Sequence, residues 1–364
     1  MTLETKNTDA LSLTYKLLCF NAINPPGHEH DCAKYVGGAS EYVLKTNPFI
    51  LMSLGLSLLS AIFLAGCFVD NQSAPKAQNH VTGFNDSPAI QRDDDFVCWF
   101  NAETPDKKTG VALVIHGLNL RPGKMESIIS VLAHYGMDVL NVSLRGHGQN
   151  FLQKEAVDIR SARMEAFKTV SYQLWRDETY RAYRLAKKRS DEINVPLFFI
   201  GFSLGGLMGA DLFASYPDVC FDRMVLFAPA FKLHGITYFG KLLSPFPRLV
   251  IPTLSSASYL TNSGTPMAAY NALFEAIRHF NKNIHRKLNI PTIILIDKKD
   301  ELVSYQGLRR MVEKENLDQW KFHLIQKGKI DVTEKMNHLI IDEPSVGKDI
   351  WKEIQTIIIK HLLL

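Results

Sequence analysis

A clear excess of either charge is lacking in this 364-residue sequence: 41 Lys and Arg stand against 37 Asp and Glu, a formal net charge of +4. The excess is small and scattered. That argues against a nucleic-acid partner, which calls for a dense basic surface. No glycine-rich loop runs into a following Lys, so a nucleotide phosphate cradle is not indicated. No His/Cys or His/Glu spacing suggests a metal site, and no cofactor is expected. No internal repeat is present, which excludes solenoid and propeller arrays. Cysteine is sparse, with five in the chain. What the chain does have is 46% hydrophobic and 21% charged residues, a globular composition with ample core. Its length is generous for one domain, although α/β folds of this size often run as one unit.

The most informative stretch is Gly201-Phe202-Ser203-Leu204-Gly205-Gly206. It follows the apolar run Pro196–Ile200 and precedes Leu207–Phe213, which reads as a helix. The pattern is strand, sharp turn, helix, with a serine at the apex. A serine hydroxyl is a weak nucleophile until a base takes its proton. A tight elbow holds it clear of the backbone, and small flanking residues let the two arms approach. The helix start also brings unpaired N–H groups toward any oxyanion that forms.

Other parts of such a site fall in order around it. Val111–Ile115 is a β-branched run fit for a buried parallel strand, and it ends in His116-Gly117-Leu118-Asn119. Pro291–Ile296 is another, followed by Asp297, Asp300 and Glu301. Lys321–Ile325 is a last strand, and the loop beyond it carries Met336-Asn337-His338-Leu339-Ile340.

At this point the chain resembles the α/β-hydrolase superfamily, in the branch of monoacylglycerol lipases, lysophospholipases and serine-aminopeptidase-like hydrolases. The resemblance runs from roughly Ala112 to the C-terminus. It is carried by His116-Gly117, Arg145-Gly146-His147-Gly148, the elbow at Ser203, and the pair Asp300 and His338. It implies a mostly parallel central sheet flanked by helices, with a helical cap insertion. By that resemblance Ser203 matches the nucleophile, His338 the general base, and Asp300 the acid that orients it. The backbone N–H groups of Leu118 and Leu204 match the oxyanion hole. The arginine loop shapes the site without doing chemistry. His116 and His147 are read as structural loop residues, and His134, His234, His279, His285 and His323 as ordinary ones. Three positions depart from the family pattern: Asp297, Asn337 and Ser143 stand where other residues are usual. Asp297 leaves a second carboxylate beside the first. Asp300 is favoured as the acid because it lies in the turn after the strand, whereas Asp297 sits where the strand is ending.

The N-terminal portion reads differently. Phe49–Gly66 is uncharged and apolar and ends in Leu64-Ala65-Gly66-Cys67. A run of about 18 such residues is long enough to span a bilayer. Leu-Ala-Gly-Cys at its end resembles a bacterial lipobox, which implies a lipid on Cys67, cleavage before it, and residence in the cell envelope, with an outer membrane favoured if the host has two. Residues 43–66 are thus expected to be a signal peptide or membrane segment. Residues 67–92 read as a polar tether, and 93–364 as the hydrolase domain. Residues 1–42 show no clear periodicity and form a doubtful extension, with a true start expected near Val43, Leu44 or Met52. A cytoplasmic tail ahead of a signal anchor is the alternative. Cys98 and Cys220 are read as thiols rather than a disulfide.

Between Ala228-Pro229 and Pro291 the strand-helix rhythm breaks, and a cap is expected at about 230–290, with a returning helix at Ala268–Lys282. Its first part is apolar, including Phe231, Tyr238, Leu242, Phe246 and Leu249. These pack the cap to the body, line an acyl pocket or entry tunnel, or do both. The expected activity is serine hydrolysis of lipophilic acyl esters, such as a monoacylglycerol or lysophospholipid. The alternatives are a serine peptidase on the same scaffold and a non-catalytic envelope lipoprotein. The expected partners are a small acyl ester or lipid and, through the anchor, a membrane.

Overall fold

The apolar runs become the interior strands of an eight-stranded sheet. In the computed structural model, residues 91–364 are described, apart from 95, 105–106, 153–156, 254 and 329–331. The expected extension, the apolar segment, Cys67 and nearly all of the tether lie outside the described residues. The strands are β1 (Gln91–Asp94), β2 (Val97–Phe100), β3 (Gly110–Ile115), β4 (Met137–Val142), β5 (Leu197–Phe202) and β6 (Arg223–Phe227). A two-stranded sheet of β7 (Val250–Pro252) and β8 (Gly264–Pro266) follows, then β9 (Thr292–Ile296) and β10 (Trp320–Leu324) return to the main sheet. The main order is β1-β2-β4-β3-β5-β6-β9-β10. The β1–β2 and β2–β4 pairs are antiparallel, and the others are parallel.

Strands β3, β4, β5 and β9 are buried along their whole length, as parallel strands covered on both faces must be. That is why they read as unbroken apolar runs rather than as alternating ones. Helices α1 (Glu126–His134), α2 (Ile159–Phe167), α3 (Tyr172–Ile193) and α4 (Leu204–Ser215) come before the cap segment. Helices α5 (Met267–Asn283), α6 (Tyr305–Lys314), α7 (Glu343–Val346) and α8 (Lys348–Leu363) come after it. Helix α4 packs on α3, α5 and β5, while α1 contacts α8. A helix apolar on every side belongs in the interior. Accordingly α4 is buried from Leu204 through Ala214. Helix α8 instead buries one stripe, Trp351, Ile354, Ile358 and Leu362, at helical spacing.

The register pairs Ile115 with Gly201, Phe202 with Phe227, and Phe227 with Leu295. The carboxyl ends of β3, β5, β6 and β9 therefore finish in line. In open α/β sheets ligands bind beyond those ends.

The segment after β6 is less helical than expected. It holds a 3-10 helix over Gly235–Leu243 and the β7–β8 pair. The one long helix, α5, packs on α4 and α3 of the body. Phe231 is buried, stacking on Phe280 at 4.4 Å, and Tyr238 stacks on Phe274 at 5.7 Å. Leu242, Phe246 and Leu249 are exposed and do not pack the cap to the body. Cys98 and Cys220 are not joined by a disulfide. Among the described residues no helix is long and apolar enough to cross a membrane.

Candidate active site

Ser203 sits between β5 and α4 with φ 51° and ψ −112°. A residue other than Gly in such a region costs about 1–3 kcal/mol, which the surroundings must impose. They do: the Ser203 N–H donates to Phe227 O at 2.9 Å, and its carbonyl accepts from Leu207 and Ala230 N–H at 3.1 Å each. The flanking glycines are required by close approach. A Cβ on Gly201 would lie 2.6 Å from the Gly206 nitrogen, so the arms of the elbow meet there. A Cβ on Gly205 would lie 2.1 Å from the Ile115 carbonyl oxygen, so α4 starts against the end of β3.

Three sequence-distant side chains meet at the elbow. The Ser203 hydroxyl lies 2.9 Å from His338 Nε2, and His338 Nδ1 lies 2.8 Å from Asp300 Oδ2. The Phe202 and His338 rings lie 5.0 Å apart. Ser203, Asp300 and His338 are all buried. Asp300 Oδ1 accepts the N–H groups of Leu302 and Val303, each at 2.8 Å. Burial pushes the Asp300 carboxyl up. The neighbouring His338, its hydrogen bond and those two N–H groups outweigh burial and hold the pKa below the ordinary aspartate value. Asp297 points elsewhere: its Oδ1 accepts Lys299 N–H at 2.8 Å, and its carbonyl accepts Asp300 N–H at 3.1 Å. The structure therefore brings Asp300, rather than Asp297, to His338.

Leu118 and Leu204 lie on the two segments that Gly205 brings together: Leu118 just past β3, and Leu204 opening α4. Ser203 makes no side-chain cap to the first turn of α4. The first N–H groups of a helix have no intrahelical partner.

His116 and His147 brace the Leu118 loop. Leu144 N–H donates to His116 Nε2 at 3.2 Å, and Asn119 N–H to His147 Nε2 at 2.9 Å. Each ring therefore accepts through Nε2 and carries its proton on Nδ1, which donates to Gly117 O in one case and Leu144 O in the other. Both rings are fully buried. Burial lowers the His116 pKa to about 4 and that of His147 well below its ordinary value, so both stay neutral. In the arginine loop, Arg145 N–H donates to Glu178 at 2.8 Å, and Ser143 O accepts from Asn150 Nδ2 at 2.8 Å. His279, expected to be ordinary, bonds Asp211 at 2.7 Å, and Tyr172 donates to the same buried carboxylate at 2.6 Å. That cluster joins α3, α4 and α5.

Glu301 was visible beside Asp300, but its contacts were not. It accepts Asn337 N–H at 3.0 Å, Asn337 Nδ2 at 3.0 Å and His338 N–H at 3.2 Å. It thus holds the backbone that carries His338, and Asn337 finds its partner there. Asn119, at φ 54°, accepts Asn262 N–H through Oδ1 at 2.9 Å and donates to Asn262 O at 3.1 Å. These anchors lie far apart in sequence and follow no motif.

Comparison with known proteins agrees with this fold. Residues 106–265 match the family model described as serine aminopeptidase, S33. A soluble variant of monoglyceride lipase from Saccharomyces cerevisiae, solved with a substrate analogue, superposes with a TM-score of 0.59 at 14% identity, covering 79% of this chain and 98% of its own. A metagenome-derived lipolytic enzyme gives 0.54 at 16% identity, covering 70% and 95%. The monoacylglycerol lipase of Paleococcus ferrophilus gives 0.51 at 19% identity, covering 73% and 98%. No curated protein matches the sequence. The chain has the α/β-hydrolase fold, a mostly parallel central sheet flanked by helices.

Proposed function

We propose that the protein is a serine hydrolase that cleaves lipophilic acyl esters through an acyl-enzyme. The observation that carries this reading is the continuous hydrogen-bond chain from Ser203 through His338 to Asp300 on a strained elbow. His338 Nε2 takes the Ser203 proton as Oγ attacks the ester carbonyl. The developing oxyanion lies against the Leu118 and Leu204 N–H groups; losing one such donor costs about 3–4 kcal/mol of barrier. The imidazolium, steadied by Asp300, gives its proton to the leaving alcohol. Water then attacks the acyl-enzyme by the same route in reverse order, releasing the acid and restoring Ser203.

The acyl preference rests on the lipase-like neighbours' fold and the apolar cap sequence. A profile over p-nitrophenyl esters of rising chain length and monoglycerides tests it. A medium or long acyl optimum is expected; a sharp optimum at acetyl contradicts it. The serine aminopeptidase match favours a second reading, a peptidase on this scaffold, for which aminoacyl amides outrun every ester.

The same proposal places the enzyme in a bacterial envelope, anchored through a lipid on Cys67, on the strength of the apolar run and the lipobox-like ending. A C-terminally tagged full gene should yield a membrane-bound product of the mass expected from Cys67. Cys67→Ala should block that processing. A product that retains Phe49–Gly66 and ignores the substitution establishes a signal anchor instead.

A further inference from the structure

The proposed oxyanion loop follows β3 and the His338 loop follows β10, with β5, β6 and β9 between them in the sheet. Four inter-strand steps of about 4.8 Å separate the two strands. Both loops must nonetheless act on one carbonyl, and an error of about 1 Å in such a placement costs up to about 100-fold in rate. Beyond the sheet itself, their spacing depends on what crosses between them.

The segment 255–262 crosses. On the oxyanion side, Thr261 N–H donates to Asn119 O at 2.9 Å, Arg121 Nε to Leu260 O at 2.7 Å, and Arg163 to Thr261 O at 2.8 Å. On the other side, buried Glu334 accepts Ser256 N–H at 3.2 Å through one oxygen and Met336 N–H at 3.0 Å through the other. Tyr259 alone touches both banks among these residues. Its carbonyl accepts Arg121 N–H at 2.8 Å, and Lys124 Nζ lies 4.3 Å from its ring centroid. Its hydroxyl donates to both carboxylate oxygens of Asp342, at 2.8 and 3.0 Å, shortly past His338. The ring is 2% exposed. Burial and the Asp342 charge push the phenol pKa well up, so the hydroxyl remains a donor across the working range.

We propose that Tyr259 is a positioning residue, fixing the oxyanion loop relative to the His338 loop through its carbonyl on Arg121 and its hydroxyl on Asp342. This rests on the assignment of Ser203, His338 and Asp300 given above. It makes the cap segment part of the geometry of the reaction rather than only a cover.

Tyr259→Phe tests it. The change keeps the ring, the Lys124 contact and the carbonyl, and removes only the hydroxyl. Turnover of a p-nitrophenyl ester is measured per serine titrated with a fluorophosphonate, which discounts any misfolded fraction. The expected result is a kcat lower by about tenfold or more, with KM within twofold. The double variant Tyr259→Phe/Asp342→Ala should be no slower than the slower single one, because both remove the same link. An unchanged kcat per titrated serine overturns the proposal. So do a loss confined to KM and fully additive effects in the double variant. Should Tyr259→Phe fail to fold, Glu334→Gln, which loses one of the two amide contacts, must show the same kcat loss at constant KM or the bridge is refuted. A wild-type protein that neither labels nor turns over instead removes the Ser203 assignment beneath it.

Discussion

Asp300 holds His338 through one carboxylate oxygen, 2.8 Å from Nδ1, while its other oxygen takes the N–H groups of Leu302 and Val303. The carboxylate is thereby locked in one orientation, and it locks the ring in turn. Asp297 spends its side chain on Lys299 N–H, inside its own turn.

The two carboxylates should therefore separate cleanly by substitution. Asp300→Asn should lower kcat by about 10,000-fold, the size of effect seen when a triad acid is neutralised. Asp297→Asn should stay within a few-fold of wild type. Steady-state kinetics on one ester measures both, and a larger loss at Asp297 transfers the role to that residue.

The strain at Ser203 should be recoverable as stability. Ser203→Ala keeps a Cβ at φ 51° and ψ −112°, whereas Ser203→Gly relieves it. The Gly variant should exceed the Ala variant by about 1 kcal/mol, read from urea midpoints at equal m-values. An Ala variant as stable as the Gly variant means that the elbow stores no strain.

Acid should destabilise the fold through its buried neutral histidines. The unfolded chain binds a proton on each near pH 6.5, but folded His116 does so only near pH 4. Protons therefore favour the unfolded state, and the stability that His116 contributes above pH 6.5 drains away as the pH falls toward 4. The full difference is about 3 kcal/mol. His361, pushed down to about 4 by burial and then by Arg223, adds to the same window. His116→Gln should flatten the slope of unfolding free energy between pH 6.5 and 4. A slope identical to wild type contradicts the assignment of a neutral, buried His116.

Much of this arrangement was legible in the chain. Residues such as Val111–Ile115 and Thr292–Ile296 must be buried on both faces, so their apolar runs announce parallel strands. Ser203, Asp300 and His338 follow strand ends in an order that the sheet converts into proximity. The helix Ala268–Lys282 emerged as α5, one residue longer at each end. The character of the cap was harder to read. Leu242 and Phe246 look like core residues by composition, yet they are exposed. The supporting contacts were harder still. Glu301 with His338, Glu334 with Ser256, and Tyr259 with Asp342 join backbone or carboxylate groups across long loops. Any polar residue can make such bonds, so composition and spacing carry no trace of them.

The most direct test of the central claim is covalent labelling of the purified protein by a fluorophosphonate, followed by intact-mass and peptide analysis. The account predicts one adduct per chain, located on Ser203 and absent from Ser203→Ala, with labelling strongly slowed in His338→Ala. Equal labelling of wild type and Ser203→Ala, or an adduct on another residue, contradicts it.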